Sequence, residues 1–393
     1  MDNIITYVAA NAARPQLGDM QLIPDSGVLV TKPNADVMLR SGSLALASSY
    51  PSATSPIIEH IMCHGVAQIN LPAVTSGTSP NSWAANGTGT IVLCYANTTN
   101  VLVSTNHGAS WSTIAHNLGA SQQATSVCWN GTQFIVSGNT ATAITCSYSI
   151  AAAVFTLGGT AVVTTATADT SKIVWDSTGS LALIVVSGTS AVQAATTPSG
   201  VTLTARTLSQ NLTAPVPMVL GSVGVSRWYI TSSSTAAVQS TAADGSAWAN
   251  RTCIAASSST IGALSNFLIG VGTNLYKSST GADGTWTLVP VTFNSTVTFA
   301  FDGTRLLLNT MITNAAQFSY TTDLANFTYR QCAFLPSGGY VIASGTNLAI
   351  VGNSSGTASY AANWFTTSEY LGIFQATFLS GTGKSIYAYS RIK

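Results

Sequence analysis

Charge is what this chain has least of. Only 6% of its 393 residues are Asp, Glu, Lys or Arg, against roughly 25% in ordinary soluble domains. Solubility must therefore come from Ser, Thr, Asn and Gly. The net charge is +1 and the basic residues are scattered, which argues against a nucleic-acid surface. No run approaches the roughly 20 apolar residues of a membrane helix, so no membrane insertion is expected. The N-terminus, Met1-Asp2-Asn3-Ile4-Ile5, lacks the basic and apolar regions of a signal peptide. No segment keeps a helical apolar period, so helix should be scarce. The six cysteines, Cys63, Cys94, Cys128, Cys146, Cys253 and Cys332, form no C-x-x-C pair. They read as buried, reduced thiols of a protein folded in a cytoplasm. The hydrophobic fraction, 46%, is ample for a core.

What is present is a recurring phrase. Its best copy is Ser104-Thr105-Asn106-His107-Gly108-Ala109-Ser110-Trp111. Others run from Thr241 through Asp244 and Gly245 to Trp248, from Asp283 and Gly284 to Trp286, and from Thr321 through Asp323 to Phe327. Weaker copies end at Phe155, Leu203 and Trp364. The closing bulky residues are thus 44, 48, 45, 38, 41 and 37 residues apart. A period of about 40 to 45 residues with strand-like content marks a β-propeller, one blade per repeat. In each phrase a hydroxyl residue ends a strand, Asp or Asn bonds the turn, and Gly takes a positive φ. The aromatic then packs between sheets, so Trp111, Trp248 and Trp286 are expected to be largely buried.

Hairpin signals precede the phrases. Asn130-Gly131-Thr132 lies between Val127-Cys128-Trp129 and Gln133-Phe134-Ile135-Val136, and Asp302-Gly303-Thr304 separates two further apolar runs. Each repeat therefore reads as four strands, giving an all-β fold. Seven blades are favoured. Eight is the alternative, because 376–379 and 385–389 resemble one more pair of inner strands. Joining those C-terminal strands to strands near residues 57 to 75, such as Ala67-Gln68-Ile69-Asn70-Leu71, would avoid bare sheet edges and make eight blades.

The phrase resembles the Asp-box of sialidase-like propellers. Carried over, that resemblance gives Ser104, Asn106, Gly108, Trp111, Asp244, Gly245, Trp248, Asp283, Gly284, Trp286, Asp323 and Phe327 a structural role at the blade periphery. Sialidase chemistry needs an arginine triad, a Tyr–Glu pair and an Asp acid. Arg206, Arg251 and Arg330 each fall three residues after a box terminus, which puts them on outer strands. The only glutamates are Glu59 and Glu369. No catalytic residue is assigned, and the chain is read as a non-enzyme. His60 and His64 lack an evident third ligand, so no metal is assigned. No cofactor is expected. His107 reads as solvated, and His116 has no visible partner.

Residues 1–75 lack the repeat and read as an extended arm, with 76–393 as the propeller. The stretch Leu39-Arg40-Ser41-Gly42-Ser43-Leu44-Ala45-Leu46-Ala47-Ser48-Ser49-Tyr50-Pro51 resembles phrases in bacteriophage tail fibre and tail-tip proteins. Runs such as 25–30 are expected as short strands of the arm. The resemblance implies a virion protein assembled in the host cytoplasm. Its arm would join other virion proteins and sister copies, in a homo-oligomer. Its propeller would bind a host-surface glycan or protein. The alternatives are a sialidase-like glycan-cleaving enzyme and a cytoplasmic scaffolding propeller.

Overall fold

The computed structural model describes residues 20–24, 37–39, 45–46, 67–72, 80–95, 99–119, 122–138, 143–161, 171–187, 193–220, 228–254, 259–293, 298–309, 317–331, 340–345, 347–351, 357–361, 370–371, 377–378 and 385–391. They contain strands and turns and, among them, no helix. By its contacts the chain divides into two units. One holds Met1–Ala67, Arg330–Ala333 and Asn363–Lys393, and the other Gln68–Tyr329 and Phe334–Ala362.

The chain enters through β1 (Met20–Pro24), β2 (Val37–Leu39), β3 (Ala45–Leu46) and β4 (Ala67–Asn70). Six four-stranded blades of consecutive strands follow. The first blade is β5 (Pro80–Ala85), β6 (Ile91–Tyr95), β7 (Asn100–Ser104) and β8 (Ser112–Ala115). The second is β9 (Ala124–Trp129), β10 (Phe134–Gly138), β11 (Ala143–Ser149) and β12 (Val154–Ala161). The third is β13 (Lys172–Asp176), β14 (Leu181–Val185), β15 (Ala194–Thr197) and β16 (Thr204–Arg206). The fourth is β17 (Val216–Val219), β18 (Trp228–Thr231), β19 (Ala236–Ser240) and β20 (Trp248–Thr252). The fifth is β21 (Ser259–Ala263), β22 (Asn266–Val271), β23 (Asn274–Ser278) and β24 (Thr287–Thr292). The sixth is β25 (Thr298–Phe301), β26 (Leu306–Asn309), β27 (Gln317–Thr321) and β28 (Thr328–Gln331).

A further four-stranded sheet joins β29 (Tyr340–Ser344), β30 (Asn347–Val351) and β31 (Thr357–Ala361) to β4, from the other end of the sequence. The remaining strands are β32 (Tyr370–Leu371), β33 (Thr377–Phe378) and β34 (Ser385–Arg391).

Packing follows from strand periodicity. Successive side chains point to opposite faces, and in the second strand of a blade both faces are buried. On β14, Ala182 and Ile184 pack on Cys128 and Ile135 of the second blade, while Leu183 and Val185 pack on Trp228 and Ile230 of the fourth. This is why such strands read as unbroken apolar runs rather than as alternation. The same arrangement joins the first and second blades, the fourth and fifth, and the fifth and sixth. Ile91 and Leu93 of β6 pack on Ile342 and Ala349 of the β29–β31 sheet. Each such side chain contributes about 1.5–3 kcal/mol on burial.

Asn-Gly and Asp-Gly form the hairpins expected of them. Asn130 Oδ1 accepts the amides of Thr132 and Gln133, and Asp302 Oδ1 those of Thr304 and Arg305. Two expectations need correction. The strands at 377–378 and 385–391 are no inner pair of an eighth blade, because β34 pairs with β33, β1 and β2. Their apolar alternation reads alike whichever sheet they join. Nor do those strands close on residues 67–70, because β4 pairs with β31 instead. The strands expected at 25–30 lie outside the described residues.

Candidate functional site

The repeated phrase sits where the third strand of a blade turns into the fourth. Its recurring device is a buried hydroxyl at the end of the third strand. Ser104 Oγ accepts the amide of Gly108 at 2.8 Å, Thr197 Oγ1 that of Gly200 at 2.8 Å, Ser278 Oγ that of Gly281 at 2.8 Å, and Thr321 Oγ1 that of Leu324 at 3.0 Å. Each of these amides belongs to a residue with positive φ, from 59° at Leu324 to 97° at Gly108. The acids have differing tasks. Asn106 Oδ1 accepts Ser110 N, Asp244 Oδ1 accepts Ser246 N, and Asp323 Oδ1 accepts Ala325 N and Asn326 N. Asp283 instead accepts the amide of Thr252 from the preceding blade at 2.7 Å.

The turns also latch neighbouring blades. Arg206 of β16 reaches Asp244 at 3.4 Å, Gln133 donates to Ser199 O at 2.6 Å, and Gln239 to Thr280 O at 2.6 Å. Arg251 lies on β20 and Arg330 on β28. All three arginines are thus on fourth strands, and Arg251 bonds Gln239 of its own blade. Trp111, Trp248 and Trp286 are half-buried rather than largely buried. The indoles of Trp111 and Trp248 donate back to Gly108 O and Gly245 O at 3.0 and 2.8 Å, which holds each ring over its own turn. Phe327 is likewise half-buried, edge-on to Phe293. Gly284 has φ 73° with open space where a Cβ would stand. His107 is half-buried and bonds Ser344, so it is no freely solvated group. His116 is buried, and its Nδ1 accepts the amide of Leu118. Cys94, Cys128, Cys146 and Cys253 are buried free thiols, and burial raises the pKa of Cys94, Cys128 and Cys146. Glu59, His60, His64, Cys63, Cys332, Trp364 and Glu369 lie outside the described residues.

A cavity of about 380 Å³ opens where the first strands of the third to sixth blades end. Trp175, Asp176 and Ser177 reach it from β13, Leu264 and Ser265 from the hairpin after β21, and Phe301 from β25. Trp175 and Phe301 are each half-buried, packed on the blade interior along one side. Ser177 and Ser265 are exposed. Asp176 is buried and accepts the amide of Thr178 at 3.0 Å. Leu264 and Ser265 have φ of 50° and 58°, conformations that a tight hairpin demands and that favour Asn-Gly. Holding them costs on the order of 1–3 kcal/mol each. Asn266 Nδ2 donates to Leu264 O at 2.7 Å and fixes the turn.

Nothing in the repeated phrase pointed to this cavity. Its residues fall at strand ends in four separate repeats, and only ring geometry brings them together. Two aromatic faces beside hydroxyls and one carboxylate can hold a polar ligand that also presents C–H surface. Among the described lining residues Asp176 is the one carboxylate, whereas glycoside hydrolysis uses a pair.

No family model and no curated protein matches this chain. Solved structures do resemble it. The YCF48 protein bound to a D1 peptide aligns with TM-score 0.53 at 14% identity, over 75% of this chain and 94% of that one. Virginiamycin B lyase from Staphylococcus aureus aligns with TM-score 0.56 at 9% identity, over 75% and 98%. The WD40 β-propeller domain of Doa1 aligns with TM-score 0.53 at 8% identity, over 77% and 97%. Their functions differ, so the likeness is one of fold, and that fold is the β-propeller.

Proposed function

We propose that this chain is a non-enzymatic virion protein of a bacteriophage, a tail or fibre component, whose propeller binds a host-surface glycan. The observation that carries the binding role is the cavity lined by Trp175 and Phe301 beside Asp176, Ser177 and Ser265. Sugars present C–H faces to aromatic rings and hydroxyls to short polar side chains, and recognition of this kind needs little charge. The placement of Arg206, Arg251 and Arg330 on fourth strands supports binding without sialidase chemistry. The virion assignment rests on the resemblance of residues 39–51 to tail proteins and on the charge-poor composition. Residues 1–75 would anchor the protein to other virion proteins and to sister copies.

We read the ring as seven-bladed, with the β29–β31 sheet as the seventh blade and β4 as its outer strand. Three contacts support this reading. β29 packs against β5, Tyr340 donates from its hydroxyl to Asn81 O at 3.4 Å, and Ile91 packs with Ile342.

Two measurements test the function. Mass spectrometry of purified particles should detect the chain at stoichiometric level. The purified protein should retain host-surface polysaccharide without releasing reducing ends. Absence from the particle overturns the virion role, release of reducing ends overturns the non-enzymatic role, and failure to retain any surface polysaccharide overturns the glycan role.

A further inference from the structure

A second cavity, of about 260 Å³, lies on the ring axis and is lined from every first strand between β5 and β29. It is set off from the mouth at Trp175. On β13 it takes Lys172 to Val174 where the mouth takes Trp175 to Ser177, and on β21 it takes Thr260 where the mouth takes 262–265. Its polar side chains are Asn81, Ser126, Lys172, Thr260, Thr298 and Tyr340.

Lys172 is the one charged group among the described lining residues. It has no hydrogen bond or ion pair to any described residue. Burial lowers its pKa. Cys94 and Tyr340 are themselves kept neutral, because burial raises both. The half-buried amine therefore borders the cavity with no compensating negative charge among described groups, an arrangement that an entering anion would relieve. Thr260 adds a second signal, since its Oγ1 is buried without any hydrogen-bond partner. Ser126 Oγ is already engaged, donating to Ser82 Oγ and accepting from Ile173 N.

We propose that the axial cavity is a binding site for a small oxyanion, held by the Lys172 ammonium and the Thr260 hydroxyl. A carboxylate, phosphate or sulfate group carries the charge that the amine lacks and an acceptor for the hydroxyl once that side chain turns to the cavity, and charge-assisted bonds of this kind are the strong ones. The volume admits an inorganic ion or one acidic monosaccharide and little more. This site is independent of the glycan role argued for the mouth.

Calorimetric titration of the full chain with inorganic phosphate, sulfate, acetate and glucuronate tests the proposal, with thermal unfolding recorded alongside. At least one should bind at one site per chain and raise the melting temperature by mass action. Lys172→Met should weaken that binding at least ~tenfold, and Thr260→Val should weaken it by a smaller factor. Glucuronate binding alone would identify an acidic sugar, and phosphate or sulfate binding alone a free ion. Trp175→Ala should leave the affinity unchanged. Should Lys172→Met fail to fold, Thr260→Val decides. The proposal is overturned if none of the four anions binds at millimolar concentration, or if the folded variants bind as the parent does.

Discussion

His107 Nδ1 stands 2.9 Å from the carbonyl oxygen and 3.0 Å from the hydroxyl of Ser344, a residue 237 positions further along the chain. The phrase of the first blade thereby touches the end of β29. Gly108 follows in the same turn, and a Cβ there would come within 2.7 Å of Ala349 Cβ. The best-formed phrase thus ties the first blade to the β29–β31 sheet. It combines a sharp turn, a close approach that only Gly permits, and a polar tie.

The buried hydroxyl of that phrase gives the first prediction. Ser104→Ala leaves the buried Gly108 amide without its 2.8 Å partner and should cost about 1–3 kcal/mol. Urea unfolding measures it. A loss below ~0.5 kcal/mol, the range of ordinary surface sites, would mean the hydroxyl does not hold the turn.

Two glycines should respond differently to alanine. At Gly262 a Cβ would collide with Val219 O, where β21 and β17 run side by side. Gly262→Ala should therefore destabilise by more than about 3 kcal/mol, as overpacking against backbone does. At Gly284, with open space around it and φ 73°, alanine should cost only about 1–2 kcal/mol. Equal losses in chemical denaturation would contradict the close approach of the two blades.

The tryptophans should separate by burial. Trp228, fully buried between the third and fourth blades, should lose about 3–5 kcal/mol on replacement by Ala. Trp248, half-buried above its own turn, should lose about 1–2 kcal/mol. The reverse order would mean that the phrase aromatics, rather than the second-strand residues, carry the inter-blade core.

Acid should weaken the turns. Hydrogen bonds from Ser246 lower the pKa of Asp244, and those from the Asn326 and Ala325 amides lower that of Asp323. A carboxyl lowered in the folded state stabilises fully above its unfolded value of about 3.9 and loses that contribution as pH falls through the folded value. Melting temperature should therefore fall between pH 4 and pH 2, and Asp323→Asn should flatten that fall. An identical acid slope in parent and variant would remove Asp323 from the account.

Much of this fold was legible in the sequence because its signals are local. A phrase such as Thr321 to Phe327 encodes a strand end, an Asx-bonded turn and a new strand within seven residues. Asn130-Gly131 and Asp302-Gly303 likewise act on their own neighbours. Residues 67–71 do read as a strand, but their partner is β31 rather than the C-terminal strands expected to close on them. What escaped depends on distant chain. His107 read as solvated because Ser344 lies far away in sequence. Trp111 read as buried because nothing local says which side of a ring faces solvent. The final strands read as an eighth blade because β34 and an inner strand share one alternation. Trp175 and Phe301 are ordinary strand-end aromatics until the ring sets them around one opening.

The most direct test of the account is the affinity of that opening for host-surface glycan. Calorimetric titration of the parent and of Trp175→Ala and Phe301→Ala, each first confirmed to be folded, measures it. Loss of one aromatic platform should weaken binding by about 1–2 kcal/mol, which is roughly five- to thirtyfold. Binding unchanged in both folded variants would contradict the assignment of the mouth as the glycan site.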